Sequence, residues 1–302
     1  MNVFVTGGAG FIGSHICTKL LEEGHSVTAY DNLSTGHADN LPDGAQLIEA
    51  DIRDLGDLQT AMMGHDAVIH LAAQALVPES VKNPQKTYDI NIGGGYNVLT
   101  AMKELGIKKL VYSSTAAVYG EQTKMPISED APKHPINPYG ATKLALEHLA
   151  HAYHVNYGLN VTVFRYFNPF GPGEHHDPET HAIPNFMRAI RDDKPIPLYW
   201  GGEQIRDFFY VKDLAQAHVD ALKLKGFQEY NLGSGEGIKV KDLVKLLFKV
   251  TGSDVSLKDL GKRAGDPPEL RAGISRAQKE LNWQPTPLRD ALAETWQNFI
   301  NQ

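Results

Sequence analysis

A glycine-rich turn near the start of the chain most constrains how this sequence can fold. Gly7, Gly10 and Gly13 follow a short apolar run, Asn2–Thr6, and open a stretch with helical periodicity. Glycines allow a tight turn and let the backbone approach a pyrophosphate, while the start of the helix supplies N–H donors and the positive end of its dipole. The pattern predicts a strand–turn–helix unit that binds a dinucleotide.

The first half of the chain alternates short apolar runs with helical stretches, as parallel α/β proteins do. We therefore predict an α/β fold: a Rossmann-type doubly wound parallel sheet with a smaller C-terminal α/β substrate domain. The predicted strands are Asn2–Thr6, Ser26–Asp31, Gln46–Glu49, Ala67–Leu71, Lys109–Ser114 and Val161–Arg165. The predicted helices are Phe11–Glu23, Asp54–Met63, Thr87–Leu105, Tyr139–Tyr157 and Leu288–Ile300.

The sequence changes character after Arg165, where Gly and Pro cluster and short elements alternate with turns. We assign residues 1–165, with a return segment at about 206–232, to the dinucleotide-binding domain. Residues 166–205 and 233–302 form the predicted substrate domain.

Charge and cysteine content limit the partners and the compartment. The 302 residues carry 29 Lys and Arg against 36 Asp and Glu, a net charge of −7, so the chain has no general attraction for nucleic acid. Cys17 is the single cysteine, which excludes an intramolecular disulfide and fits a reducing compartment. The sequence has no apolar run long enough for a membrane span and no signal-peptide pattern at Met1, so we expect a cytoplasmic protein.

Two acidic residues end predicted strands where a dinucleotide would lie. Asp31 ends the second strand, 18 residues after Gly13. A carboxylate there accepts hydrogen bonds from ribose hydroxyls and repels a 2′-phosphate, and the following Asn32 and Leu33 supply no arginine, so the sequence predicts NAD rather than NADP. Asp51 ends the third strand; it could contact the adenine or cap the next helix, a role that Asp54 could equally take.

A tyrosine and a lysine four residues apart carry the predicted chemistry. Tyr139 and Lys143 project from one face of a helix. A nearby ammonium favours the phenolate, which could then remove a hydroxyl proton while hydride leaves the same carbon. Ser113 and Thr115 lie at the end of the fifth strand, the edge at which open parallel sheets bind ligands, and a hydroxyl there could assist the proton transfer.

These motifs, taken in order, resemble the extended short-chain dehydrogenase/reductase family, and within it the UDP-glucose 4-epimerases. The resemblance runs from Met1 to about Phe299. The matching segments are Gly7–Gly13, Asp31–Leu33, Asp51–Arg53, Ser113–Gly120, Pro138–Lys143, Arg165–Pro169 and Arg263–Asp266.

The resemblance implies NAD-dependent inversion at C4 of a UDP-sugar, UDP-glucose or UDP-galactose, through a 4-keto intermediate. It implies a homodimer formed through the helices near Thr87–Leu105 and Tyr139–Tyr157. The implied catalytic residues are Thr115, Tyr139 and Lys143. The residues expected at the cofactor are Gly7, Gly10, Phe11, Ile12, Gly13, Asp31, Asn32, Ser34, Thr35, Gly36, Asp51, Ile52, Leu71, Ala72, Ala73, Asn91, Ser113, Tyr139, Lys143 and Phe167. The residues expected at the substrate are Asn168, Asn185, Tyr199, Arg206, Phe208, Arg263, Asp266 and Leu270.

Several residues bear on which other reactions or functions the resemblance leaves open. Nucleotide-sugar dehydratases carry an Asp-Glu pair where this chain has Ala116 and Ala117, which cannot do acid–base chemistry. The residues leave open a 4-epimerase of UDP-N-acetylglucosamine or UDP-glucuronate, a related decarboxylase, and a non-catalytic NAD-binding sensor. Trp200 stands where Gly is common in the family. The histidines between Glu174 and His181 are read as an exposed loop, with no metal expected.

Overall fold

The computed structural model describes residues 1–174, 181–261 and 267–301. No helix within these ranges is long and apolar enough to cross a membrane. Contacts divide the chain into two compact units, each built from three segments. Unit 1 comprises 1–122, 129–166 and 214–231; unit 2 comprises 123–128, 167–213 and 232–302.

Unit 1 is built on a seven-stranded sheet. Strands β1 to β6 pair in parallel, and the sheet order β11-β6-β5-β4-β1-β2-β3 contains the doubly wound order 3-2-1-4-5-6. In such sheets ligands bind beyond the carboxyl ends of the strands where the order reverses, here between β1 and β4. The strands are β1 Asn2–Thr6, β2 Ser26–Asp31, β3 Gln46–Glu49, β4 Ala67–His70, β5 Lys109–Thr115, β6 Asn160–Tyr166 and β11 Phe227–Leu232.

Helices pack on this sheet, and one hydrophobic core between them and the sheet includes Phe4, Val68, Leu110, Leu146 and Val161. Helix α6 begins at Pro138, where the side chain of Asn137 accepts a hydrogen bond from the N–H of Gly140. The helices are α1 Phe11–Glu22, α2 Leu55–Met62, α3 Val77–Lys82, α4 Pro84–Tyr88, α5 Gly95–Leu105, α6 Pro138–Tyr157 and α8 Val211–Ala221, the last of which begins in unit 2.

Unit 2 contains three small sheets. Strands β7 and β10 pair in parallel, β9 lies between β12 and β14, and β8 pairs with β13. The strands are β7 Asn168–Phe170, β8 Ile196–Leu198, β9 Ile205–Arg206, β10 Phe208–Tyr210, β12 Ile238–Lys239, β13 Leu257–Asp259 and β14 Glu269–Leu270. The helices are α7 Ala182–Arg191, α9 Val240–Thr251, α10 Ser275–Leu281 and α11 Leu288–Ile300.

The predicted strands and helices lie where the structure has them to within a residue, with one exception. The predicted helix Thr87–Leu105 is interrupted by a turn of π-helix at Asp89–Gly94. π-Helical turns inside α-helices occur frequently at functional sites. Gly94 and Gly95 sit where a Cβ would meet the side chains of Ile52 and Leu146 at 2.4 Å, so this part of the helix packs closely on its neighbours.

The two compact units divide the chain at somewhat different residues from the predicted domains, which stay a prediction. The return segment is 214–231 rather than about 206–232, because β9 and β10 pair with strands of unit 2. Residues 123–128 also belong to unit 2, since Ile127 pairs with Ala272 and its N–H donates to the carbonyl of Arg271 at 2.9 Å.

A buried ion pair joins helix α6 of unit 1 to the elements around it. Arg165 on β6 is 0 % exposed, and its guanidinium donates to both carboxylate oxygens of Glu147 on α6, at 3.0 and 2.7 Å. It also donates to the hydroxyl of Tyr119 at 3.1 Å, to the carbonyl of Glu129 at 3.3 Å and to the carboxylate of Glu229. Because every partner lies in a different part of unit 1, this one side chain fixes their spacing.

We expect Glu147→Leu to lower the free energy of unfolding by about 3–5 kcal/mol, because it leaves the buried Arg165 without its bidentate partner. Arg165→Met in the same chain should recover much of that loss, because the buried guanidinium that lost its bidentate partner is then removed as well. Urea denaturation of the parent, single and double variants measures both effects. Glu22→Leu on the exposed face of α1 is the control, and an equal loss there would contradict the expectation.

Candidate active site

The glycine turn between β1 and α1 is closely packed on one side and open on the other. Gly7 has φ +73°, and a Cβ there would lie 2.8 Å from the N of Ala72. A Cβ on Gly13 would lie 2.1 Å from the carbonyl oxygen of Gly7. At Gly10, which precedes the helix, a Cβ would meet only that oxygen, at 3.4 Å. The turn thus requires glycine for its own packing and leaves the start of α1, at Phe11 and Ile12, accessible to an anion.

Asp31 lies beside this turn at the end of β2. It is mostly buried, and its two carboxylate oxygens accept from the N–H groups of Ala9 at 3.0 Å and Leu33 at 2.9 Å. Burial raises the pKa of Asp31 above its usual value, and these two hydrogen bonds oppose the rise. Each oxygen retains a second lone pair, so the carboxylate can also accept from hydroxyls of a ligand.

The side chain of Asp51 does not cap a helix. Asp54 caps α2, accepting from the N–H of Asp57 at 3.0 Å. The carboxylate of Asp51 instead binds Arg53 through two side-chain contacts, at 2.9 and 2.8 Å, and accepts from Asn32 at 2.8 Å. The Arg53 guanidinium holds the pKa of Asp51 well below its usual range.

Seven other residues predicted at the cofactor lie at three places. Ser34 and Thr35 are exposed on the loop after β2, while Gly36 packs against the backbone of Ala9. Leu71, Ala72 and Ala73 follow β4 beside the turn, and the N–H groups of Leu71 and Ala72 donate to Thr6. The side chain of Ile52 belongs instead to the hydrophobic core.

Asn91 lies in the π-helical turn and is almost completely buried. Its amide donates to the hydroxyl of Thr142 at 2.9 Å and to the carbonyl of Gln74 at 3.1 Å, and it accepts from the N–H of Gln74 at 2.7 Å. Asn91 therefore joins the loop after β4 to helix α6, one residue before Lys143.

The predicted catalytic residues meet at the end of β5. Lys143 is buried; its Nζ donates to the hydroxyl of Ser113 at 3.2 Å and lies 4.8 Å from the centre of the Tyr112 ring. Ser113 in turn donates to the carbonyl of His70 at 3.1 Å. Thr115 ends the strand and is hydrogen-bonded to Tyr139. The structure thus brings these four predicted side chains to one edge of the sheet.

Burial moves the pKa values of the two titratable residues in opposite directions. It raises the pKa of Tyr139 to about 12, against the lowering effect of the Thr115 hydrogen bond. It lowers the pKa of Lys143 to about 7, against the opposing charge of Glu147. Both shifts favour the neutral forms, and the group that acts on Tyr139 here is Thr115 rather than Lys143.

Unit 2 contains a separate cavity of about 320 Å³, large enough for a small ligand. Five residues predicted at the substrate line it: Asn168, Asn185, Tyr199, Arg206 and Phe208. Phe167, predicted at the cofactor, lines it as well. The cavity also has lining residues that the sequence did not indicate: Pro169, Phe170, Glu174, His181, Ala182, Ile183, Phe186, Pro197, Leu198, Gln204 and Val240.

Of the other predicted substrate residues, Leu270 is described and is not among those that line this cavity. Leu270 lies on β14, where it is the register partner of Arg206 on β9. Arg263 and Asp266 lie outside the described residues. Trp200 has φ +53°, in the left-handed region that favours glycine, which explains why Gly is common there in the family.

The first unit and its tyrosine–lysine pair are those of a dinucleotide-dependent enzyme of the short-chain dehydrogenase/reductase type. The model of the NAD dependent epimerase/dehydratase family matches residues 3–233, and the chain belongs to that family.

Curated relatives and solved structures that are similar to this chain support its assignment to the family. The chain is 40% identical over 315 residues to a UDP-glucose 4-epimerase of Corynebacterium glutamicum, covering 98% of this chain and 95% of the relative. A UDP-glucose 4-epimerase from Thermotoga maritima, solved with UDP-glucose, has TM-score 0.96 at 36% identity and covers 100% and 99% of the two chains. A UDP-N-acetylglucosamine 4-epimerase from Methanobrevibacter ruminantium, in complex with UDP-N-acetylmuramic acid, has TM-score 0.95 at 37% identity and covers 100% and 98%.

The buried lysine should make stability depend on pH. Lys143 has a folded pKa of about 7, below its ordinary 10.5, so between these values the unfolded chain binds more protons. Stability should therefore rise with pH through this window. Lys143→Met lacks the cost of burying an ammonium, so its unfolding free energy should exceed that of the parent at pH 7. The difference between the two should shrink by on the order of 2 kcal/mol by pH 9, because the parent gains stability over this range.

Urea denaturation at pH 7, 8 and 9 measures this difference. Lys245→Met on the exposed face of α9 is the matched control and should follow the parent at every pH. A constant difference between Lys143→Met and the parent would contradict the expected burial of the ammonium.

Proposed function

We propose that this protein inverts the configuration at C4 of a UDP-sugar, with UDP-glucose and UDP-galactose as its substrates and NAD as its bound cofactor. The observation that carries the proposal is the meeting of Tyr139, Thr115, Ser113 and Lys143 at the carboxyl end of β5. Family membership and the named activities of the relatives support it.

The residues of unit 1 fit NAD. The open side of the turn at Gly10 and the start of α1 suit a pyrophosphate. The carboxylate of Asp31, fixed by two backbone N–H groups, suits the ribose hydroxyls and would repel the 2′-phosphate of NADP. Bound NAD supplies the capacity to accept a hydride from C4 and to return it.

Tyr139 acts as the base in this proposal. Its phenolate oxygen takes the proton of the C4 hydroxyl while the C4–H bond breaks, which leaves a 4-keto sugar. After the 4-keto sugar has rotated in the site, the same tyrosine returns the proton to the oxygen at C4. The cycle therefore neither gains nor loses a proton. Thr115 holds the phenolic oxygen, and the ammonium form of Lys143 favours the phenolate.

The small residues after Thr115 argue against elimination of water. Ala116 is buried in the short helix Ala116–Tyr119 that follows β5, and neither it nor Ala117 has a titratable side chain. The two positions after Thr115 therefore supply no second acid or base for eliminating water, whereas reversible oxidation and reduction at one carbon needs only the proton transfer assigned to Tyr139.

We also propose that two copies associate through the outer faces of α5 and α6. Tyr96 on α5 is 50 % exposed, and Val155 and Tyr157 on α6 are 66 % and 42 % exposed. Large apolar side chains on adjacent helices suit a partner surface, and the family resemblance supports a homodimer.

The direct test is incubation of the purified protein with UDP-glucose, with the products read by NMR. UDP-galactose should form without added reductant.

Tyr139→Phe should lower turnover by ~10²-fold or more while UDP binding is retained, because only the proton-transferring oxygen is lost. Tyr88→Phe, at an exposed tyrosine on α4 of the same unit, is the control. A Tyr139→Phe enzyme at half the parental rate would show that another group is the base.

UDP-N-acetylglucosamine is a second proposed substrate. The resemblance associates Leu270 with the space around the rotating sugar, and epimerases restricted to glucose and galactose have a bulky Tyr there. A solved relative at 37% identity is named as an epimerase of this substrate, which supports the proposal.

We therefore expect the parent to epimerise both substrates, and Leu270→Tyr to lower the kcat/KM for the N-acetyl sugar about tenfold more than that for UDP-glucose. Steady-state kinetics on both substrates measure the ratio. Leu257→Tyr, at an exposed leucine of the same unit, controls for the added ring. A ratio that Leu270→Tyr leaves unchanged would mean that Leu270 does not limit sugar size.

A further inference from the structure

Two buried hydroxyl groups bind the backbone of Tyr139, one at its N–H and the other at its carbonyl. The N–H of Tyr139 donates to the Oγ of Ser80 on α3 at 3.3 Å, and the hydroxyl of Thr142 donates to the carbonyl of Tyr139 at 2.8 Å. Ser80 is 0 % exposed and Thr142 is 1 % exposed. Neither belongs to the residues expected at the cofactor, at the substrate or in catalysis.

The first turn of α6 shows why Ser80 is needed. The first amides of a helix have no partner within the helix itself. Asn137 binds two of them, since the N–H of Gly140 donates to its side chain at 2.8 Å and the N–H of Ala141 donates to its carbonyl at 3.1 Å. The N–H of Tyr139 is instead bound from another helix, through Ser80. Helix α3 is thereby attached to the residue of this turn that carries the proposed base.

A second hydrogen bond fixes the direction of each hydroxyl. The Ser80 hydroxyl donates to the carbonyl of Val77 at 2.7 Å, so its oxygen is left to accept from Tyr139. The Oγ1 of Thr142 accepts from the side-chain amide of Asn91 at 2.9 Å, so its proton is left for the carbonyl of Tyr139. A threonine in a helix often bonds to a carbonyl of the preceding turn. Here the same hydroxyl is also bound by the π-helical turn, so it joins two elements at Tyr139.

The position of this backbone decides where the phenolic oxygen of Tyr139 lies. That oxygen is hydrogen-bonded to Thr115, which ends a strand of the large sheet. Tyr139 reaches Thr115 from α6, so the distance between the two hydroxyls depends on how the first turn of α6 is seated. Proton transfer requires groups within hydrogen-bond reach, and a misplacement of about 1 Å can lower a rate about 10²-fold.

We propose that Ser80 and Thr142 are positioning residues for the proton transfer, which hold the backbone of Tyr139 where its phenolic oxygen meets both Thr115 and the C4 hydroxyl of the sugar. This inference rests on the proposed function, which assigns the proton transfer to Tyr139. Both residues act through the backbone of Tyr139, and neither is assigned a contact with the substrate.

The test compares two substitutions at Thr142 that separate its hydroxyl from the rest of the side chain. Thr142→Val removes the hydroxyl and should lower kcat for UDP-glucose about tenfold, with KM within about twofold of the parent. Thr142→Ser keeps the hydroxyl and should keep kcat within about threefold of the parent, although the loss of a buried methyl group lowers its Tm. Thr295→Val is the matched control and should keep the parental kcat, since its buried hydroxyl donates to the carbonyl of Ala291 in α11.

Ser80→Ala is a second variant, which decides the matter if Thr142→Val does not fold. It should lower kcat about fivefold with UDP affinity unchanged. Titration calorimetry with UDP counts the folded sites, and kcat is expressed per site, so misfolded protein does not lower it. A merely structural role would lower the Tm of Thr142→Ser and Thr142→Val and leave kcat per site at the parental value. Parental kcat per site in Thr142→Val and Ser80→Ala would therefore overturn the proposal.

Crystal structures of the parent and of both variants measure the position of Tyr139 without depending on activity. In Thr142→Val and Ser80→Ala the phenolic oxygen should lie outside hydrogen-bond reach of Thr115, and an intact bond in both would overturn this inference. Loss of that bond in the variants of a parent that epimerises no UDP-sugar would refute the proposed function alone. An active parent whose variants retain both the bond and the parental kcat would refute the role of Ser80 and Thr142 alone.

Discussion

The guanidinium of Arg165 satisfies several buried acceptors at once, and the order of unit 1 behind its catalytic edge depends on it. Its bond to Glu147 fixes helix α6 against β6. Glu147 also accepts from the hydroxyl of Ser114, while the preceding Ser113 accepts from Lys143. Consecutive residues of β5 therefore hold the same helix at two successive turns, one through a structural carboxylate and one through the predicted catalytic ammonium.

This arrangement explains why the reactive residues can be buried without loss of geometry. Burial favours neutral tyrosine and neutral lysine, and both shifts oppose the charged forms that proton abstraction requires. The Arg165–Glu147 ion pair holds helix α6 one turn beyond Lys143, so the position of Lys143 does not depend on a salt bridge of its own.

Much of this structure could be predicted from local sequence. The strand ends at Thr6 and Asp31 follow from apolar runs bounded by Gly and Asp, and the Tyr139–Lys143 pair follows from helical spacing. The cavity residues Asn168, Asn185, Tyr199, Arg206 and Phe208 came from family resemblance, because no local period connects them. Whether each of them binds substrate stays a prediction.

Features that depend on contacts between distant segments escaped prediction. The residues of the π-helical turn at Asp89–Gly94 continue the helical pattern of their neighbours, so the sequence does not distinguish this wider turn from an α-helix. Residues 123–128 join unit 2 through a single bridge between Ile127 and Ala272, which no pattern near Ile127 reveals. In the sequence, Gln204 is an ordinary polar residue before a strand. Only the structure shows that its Oε1 is buried without a hydrogen-bond partner among the described residues.

The interleaving of the two units has a consequence for how the chain is made. Strand β11 is an edge of the large sheet, and it cannot pair with β6 until residue 232 has left the ribosome. Unit 2 likewise waits for α11, although its first segment is synthesised before residue 129. Neither unit can complete its core before its last segment, which begins at residue 214 in unit 1 and at residue 232 in unit 2, has been synthesised. The nascent chain must therefore keep the exposed side of β6 from pairing with other strands while it waits, a period in which aggregation competes with folding.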